Sequence, residues 1–232
     1  MLLAIDTSSV SLSCALSEKD RLISEWTAVR KLTHSEQLLP HMDAMMKEAG
    51  VKREDITAVA AACGPGSFTG LRIGLATVKM IARIWDVPLI AVDTLEALAW
   101  NMAGSQAFIC PMTDAQKGQV YTAVYGAFDH IWEEEKEQVL GADEAIARAA
   151  VHGGPIIFTG ESADVYKDRI LSAGMKLAPP TQRCSRAGSV AMAAWEKWEQ
   201  GKTEDPEMLI PNYIRRSEAE VLWEQNHQKK TL

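Results

Sequence analysis

Several ingredients are scarce in this chain, and each scarcity closes off a class of function. Only four cysteines occur among 232 residues. Cys14, Cys63, Cys110 and Cys184 lie far apart, with no Cys-x-x-Cys pair, and each sits in or beside an apolar run. That pattern fits buried free thiols rather than a zinc site or a disulfide framework. No stretch approaches the ~18 uninterrupted apolar residues of a membrane span. The opening MLLAIDTSS has no basic lead and meets Asp6 almost at once, so no secretory signal is expected and the cytoplasm is the expected compartment. Basic residues are outnumbered, 24 Lys and Arg against 31 Asp and Glu, for a net charge of -7. Duplex binding draws its affinity from neutralised phosphates, so nucleic acid is not expected as a partner of the whole surface. Arg215, Arg216, Lys229 and Lys230 are the only local basic candidates near the end.

What is present is the making of a core. Apolar residues are 47% of the chain and charged residues 24%, the balance of an ordinary globular protein. The length suits one large domain or two small ones. Residues 1–6, 11–17 and 21–27 read as three strands of an antiparallel meander. Leu38, Met42, Met45, Met46 and Ala49 recur at helical spacing and stop at Gly50. Residues 56–63 (ITAVAAAC) are too continuously apolar for a solvated strand. A glycine-rich segment then opens a helix reaching about Trp85. Residues 88–92 form another buried strand, and Asp93 with Glu96 reads as a capping box for a helix ending near Met102.

The second half repeats this order in reduced form. Strands are expected at 106–113, 118–126 and near 136–140, then a helix at 143–150. A strand at 155–159, a helix near 163–172, a short strand at 175–178 and a helix at 186–200 complete it. Three antiparallel strands followed by alternating helices and strands is the ribonuclease H-like arrangement. Two such lobes in tandem make the α/β fold of the actin and sugar-kinase superfamily. A dinucleotide-binding sheet would begin strand, helix, strand instead. The expected lobes are 1–104 and 105–232, with Asn101 to Ser105 as the hinge and the tail after about 203 packing back on the first lobe.

Two aspartates end the first strands of the two halves. Asp6 precedes Thr7-Ser8-Ser9, and Asp114 precedes Ala115-Gln116-Lys117-Gly118. In kinase-like folds such turns face one another and hold phosphate and metal, so Asp6, Ser8, Asp114 and Gly118 are the cleft candidates. Thr7 and Ser8 stand where a glycine would let backbone approach a phosphate, which counts against ATP hydrolysis. The plainer alternative is that each aspartate caps its own turn.

GPGSFTGLRIG, residues 64–74, matches neither a Walker loop, a dinucleotide fingerprint nor a hydrolase elbow. Gly66, Gly70 and Gly74 recur every four residues, and an interior helix glycine costs roughly 1 kcal/mol relative to alanine. Something therefore approaches the backbone closely, either the protein's own sheet or a helix of another subunit, and Arg72 could reach a carboxylate there. His34 and His41 are seven apart with Pro40 between, a poor spacing for zinc. The run Glu133 to Glu137 reads as a solvated edge or loop.

LLAIDTSS, HSEQLLPHM, GPGSFTGLRIG, VDTLEALA, DAQKGQVY and PNYIRR, in this order over nearly the whole chain, resemble the bacterial TsaB (YeaZ) family. The resemblance implies a subunit of the machinery that makes threonylcarbamoyladenosine beside the anticodon of tRNAs reading codons that start with A. It implies a scaffold that dimerises with the transferase TsaD, supports recruitment of the ATPase TsaE, meets tRNA through the complex and forms a homodimer when alone. It implies no catalytic residue, no metal and no cofactor held by this subunit by itself. In the catalytic paralogue the segment matching VDTLEALA carries two metal-binding histidines four apart, and here those places hold Thr94 and Leu98. The implied partner interface is the helix opened by the glycine-rich segment, at Gly66, Phe68, Thr69, Gly70, Arg72, Ile73, Gly74 and Thr77. On that reading Gly70→Leu or Gly74→Leu breaks association and leaves the monomer folded. The alternatives are a kinase-like ATPase, a metallopeptidase of the same superfamily, or a free-standing homodimer with a ligand in the cleft.

Overall fold

A computed structural model describes residues 1–30 and 33–215. β1 (Leu2–Asp6), β2 (Ser11–Glu18) and β3 (Arg21–Val29) form an antiparallel meander. α1 (His34–Glu48) follows, then β4 (Ala58–Ala62), α2 (Phe68–Trp85), β5 (Leu89–Val92) and α3 (Thr94–Trp100). β1 and β4 pair in parallel, as do β4 and β5, which gives the sheet order β3-β2-β1-β4-β5. The second half runs β6 (Ala107–Asp114), β7 (Gln119–Ala127), β8 (Ile131–Gly141), α4 (Ala142–Ala149), β9 (Ile156–Thr159), α5 (Glu161–Val165), α6 (Lys167–Ser172), β10 (Lys176–Leu177) and α7 (Ala187–Glu199). Its sheet, read as β8-β7-β6-β9-β10, repeats the order of the first. The duplicated ribonuclease H-like topology expected from element order is what the chain builds.

Side chains alternate across a strand, so β1 feeds two cores. Leu3 and Ile5 join Leu38, Met42 and Met45 of α1 and Leu75 and Val78 of α2. Leu2 and Ala4 face the other way, into Ala187, Val190, Ala191 and Ala194 of α7. This last packing corrects the lobe boundary read from the sequence. α7 comes from the second half but covers the first sheet, because its alanine face matches the small residues Ala4, Ala15, Ala58 and Ala60 and allows close approach. Conversely α3, from the first half, packs on the second sheet, with Leu95 and Leu98 against Ile109, Tyr121 and Tyr125. α4, α5 and α6 cover that sheet's far face around Phe158.

The expected hinge is pinned: Asn101 donates to the carbonyls of Gln182 at 3.0 Å and Cys184 at 2.9 Å, and its own oxygen accepts from Ser189. Two local expectations also change. Asp93 caps α3 through the amides of Leu95 and Glu96, but Glu96 pairs with Lys197 at 2.9 Å instead of reaching back. The acidic run lies within β8, a strand twice as long as expected, since its alternate side chains still meet solvent.

After α7 the chain returns across the first lobe as a strap. Glu204 bridges to Leu89 at the sheet edge, Glu207 pairs with Arg83, and the Leu209 carbonyl accepts from Lys79 at 2.9 Å. The Asn212 amide then donates to the Cys63 carbonyl at 2.7 Å. Arg216, Lys229 and Lys230 lie outside the described residues.

Candidate functional site: the interlobe cleft and the α2 face

The parallel strands of both sheets end at one place, where strand-to-helix turns collect as they do in open α/β sheets. An open cleft of about 850 Å³ lies there, lined among others by Ser8, Phe68, Arg72, Asp114, Glu161 and Tyr213. Of the four cleft candidates, Ser8 and Asp114 reach it. Asp6 does not: it is fully buried, and it accepts from the Ser8 amide at 2.8 Å, from the Ser8 hydroxyl at 2.7 Å and from the Ser185 hydroxyl. Burial raises its pKa above the usual range against those hydrogen bonds. A carboxylate so enclosed and so fully hydrogen-bonded holds its turn together, which corrects its assignment to the cleft. Gly118 is exposed in the β6–β7 turn, where Gln116, Lys117 and Gly118 are all left-handed, with φ of 63°, 54° and 75°. Asp114 accepts from the Gln116 amide at 2.8 Å and so caps that turn while facing the cleft.

The three glycines turn inward. A Cβ on Gly66 would lie 2.2 Å from the Ser8 carbonyl oxygen, on Gly70 2.0 Å from that of Thr7, and on Gly74 2.3 Å from the Thr7 hydroxyl. Thr7 donates that hydroxyl to the Gly70 carbonyl at 2.7 Å, and the Ser67 amide donates to Ser8 at 2.7 Å. The close neighbour is therefore the protein's own turn after β1. Gly66, Gly70 and Gly74 present no groove to a partner, and a leucine at 70 or 74 has no room in the folded monomer.

The opposite face of α2 is what remains open. Thr69, Arg72 and Ala76 are exposed there, Ile73 and Thr77 half-buried, and Met80 and Ile84 are 57% and 61% exposed. The Arg72 guanidinium lies over the Phe68 ring, 3.8 Å from the ring centre, and the Phe68 and Tyr213 rings meet tilted at 4.9 Å. Arg72 Nε donates to the Tyr213 hydroxyl at 3.0 Å, so the strap closes one wall of the cleft. Arg215 follows, donating to the Ala115 carbonyl across the cleft.

Sequence reasoning missed Glu161, whose carboxyl is pushed up to about 7 by burial first, with the charges of Asp6 and Asp114 adding. Its signal was positional: Gly160 and Glu161 follow β9 as Cys63 and Gly64 follow β4, the equivalent strand of the first sheet. Thr94 and Leu98, the places of the paralogue's histidines, are buried in α3. His34 hydrogen-bonds the Val10 backbone, and burial lowers its pKa. His41 stacks on Trp26 at 3.6 Å. The four cysteines are free thiols, and burial raises those of Cys14 and Cys63 to about 12.

Comparison with known proteins agrees with this architecture. Residues 27–223 match the family described as TsaD, tRNA N6-adenosine threonylcarbamoyltransferase. The tRNA threonylcarbamoyladenosine biosynthesis protein TsaB of Bacillus subtilis is 32% identical over 96% of this chain and 97% of its own length. YeaZ from Pseudomonas aeruginosa superposes with a TM-score of 0.79 at 27% identity, over 92% of this chain and 99% of that one. A ROK hexokinase from Thermus thermophilus superposes with a TM-score of 0.50 at 12% identity, over 87% and 99%, a likeness of fold alone. On sequence and fold together, this chain belongs to the TsaB (YeaZ) family, within the wider group that includes the transferase TsaD.

Proposed function

We propose that this chain serves the synthesis of threonylcarbamoyladenosine in tRNA as a non-catalytic subunit, docking on TsaD through the outer face of α2. In this reading it supports recruitment of TsaE, meets tRNA only through the complex, binds no cofactor by itself and pairs with a second copy when TsaD is absent. The observation that carries it is the two-sidedness of α2. Its inner face is spent on Thr7 and Ser8, while Ala76, Met80 and Ile84 stand exposed on a helix whose Leu71, Leu75, Val78 and Ile81 are buried. An apolar face left open on an otherwise packed helix marks an interaction site.

Two features support the non-catalytic part. Asp6 is occupied by Ser8 and Ser185, and the i, i+4 positions that could offer imidazoles to a metal hold Thr94 and Leu98. The test uses exposed positions, so that folding is preserved. Ala76→Arg and Ile84→Glu should leave the melting temperature of the isolated chain unchanged and reduce co-purification with TsaD at least about tenfold, the effect of losing one well-packed contact. Equal recovery of TsaD by folded variant and unmodified chain overturns the docking assignment.

A further inference from the structure

Three segments far apart in sequence meet at a pair of carboxyl groups outside the cleft. Asp93 stands at the start of α3, where its Oδ1 accepts from the amides of Leu95 at 2.7 Å and Glu96 at 3.2 Å. Glu137 belongs to β8 in the second sheet. Its Oε1 accepts from Asn212 Nδ2 of the strap at 2.8 Å, while Oε2 is buried and no donor among the described residues reaches it. The Thr94 amide donates to the Gly64 carbonyl at 2.8 Å, beside the same Asn212 that holds Glu137, and this brings the Asp93 carboxyl against that of Glu137. Ionised carboxylates only accept, so a hydrogen bond between them needs one shared proton.

Asn212 is itself fixed. Its backbone amide donates to Cys63 and its carbonyl lies where a side chain on Gly64 would stand, 2.5 Å from that Cβ. One asparagine therefore ties the loop after β4, in the first lobe, to β8 in the second. Around the pair lie the acids Glu96 and Glu133, the Tyr125 phenol and the Cys63 thiol, with Lys197 on α7 engaged by Glu96. Such surroundings favour keeping the proton, and burial, followed by Glu137, holds the Asp93 carboxyl well above the usual carboxylate range.

We propose that Asp93, Glu137 and Asn212 form a single-proton clasp that fastens the second sheet and the strap to the first lobe, and that releasing the proton loosens the strap. The strap places Tyr213 and Arg215 in the cleft and lies on Lys79 and Arg83 of α2, so the clasp sets the geometry of both surfaces. The sign follows from the raised folded value. The stabilisation is complete below the ordinary carboxylate range and is lost as pH rises through the pair's own titration.

The test is amide hydrogen exchange of residues 204–213 in the whole chain, corrected for intrinsic rates and followed from the ordinary carboxylate range upward, where each unit past the titration point is worth about tenfold. Strap protection should fall about tenfold or more in the unmodified protein. In Glu137→Gln it should stay flat, because the amide donates to Asp93 and its oxygen still accepts from Asn212. Asp93→Asn, which keeps the helix cap, gives the same flat profile and serves if the first variant is poorly folded. In the infrared, the stretch of a protonated carboxyl present in the unmodified protein should be lost in either variant. A common pH profile in all three proteins, or an unchanged band, overturns the clasp.

Discussion

At the residue scale, the molecule separates carboxylates that look alike in sequence. Asp6 and Asp114 end equivalent strands, yet one is sealed and fully hydrogen-bonded while the other is exposed at the cleft. Glu161, the first residue of α5, is a carboxyl whose protonation changes near neutral pH. Its carboxyl titrates at about 7 in the fold against 4.5 ordinarily, so the folded state is favoured below 4.5 and loses stability as pH rises from there to about 7. Glu161→Gln should remove that loss. Urea titrations at a series of pH values should show the variant gaining on the unmodified chain across this window and holding a constant advantage above it. Parallel curves would mean that Glu161 is ionised without penalty. None of this was readable from residue types: Asp6 and Asp114 share a motif-like position, and only the enclosure by Ser185, 179 positions away, distinguishes them.

At the element scale, α2 shows how far spacing can be read and where it stops. The four-residue glycine period correctly demanded a close neighbour, but a period gives a face, not its occupant. The occupant is Thr7, held by its own hydroxyl bond to Gly70. Gly70→Ala should therefore destabilise the isolated chain by about 1–3 kcal/mol or more through overpacking against fixed backbone. Denaturant unfolding measures this directly, and a stability within about 0.5 kcal/mol of the unmodified protein, the range of an ordinary surface change, would contradict the inward placement. Most elements were legible because their patterns are strong: the unbroken apolar strands β1 and β4, the methionine face of α1, the small-residue face of α7. The long β8 and the split between α5 and α6 were not, because charged edge strands and very short helices carry little hydrophobic period.

At the scale of the whole molecule, the exchange of α3 and α7 between the sheets decides how the protein holds together. Repeated element order revealed two lobes, but the order of elements does not say which sheet a helix covers. With α7 on the first sheet and α3 on the second, neither half of the chain contains its full core. Residues 1–104 alone should fail to give a folded spectrum, because Leu2, Ala4, Ala58, Ala60 and Ile90 would face water, and adding residues 105–232 in trans should restore it. A cooperatively folded 1–104 fragment would show that the first sheet does without α7. During synthesis the same exchange sets a waiting time. At about 5–20 residues per second, the ribosome has finished the first meander long before it delivers α7, so that sheet spends several seconds with one face bare. Chaperones that shield small-residue surfaces on nascent chains would find their substrate in that interval.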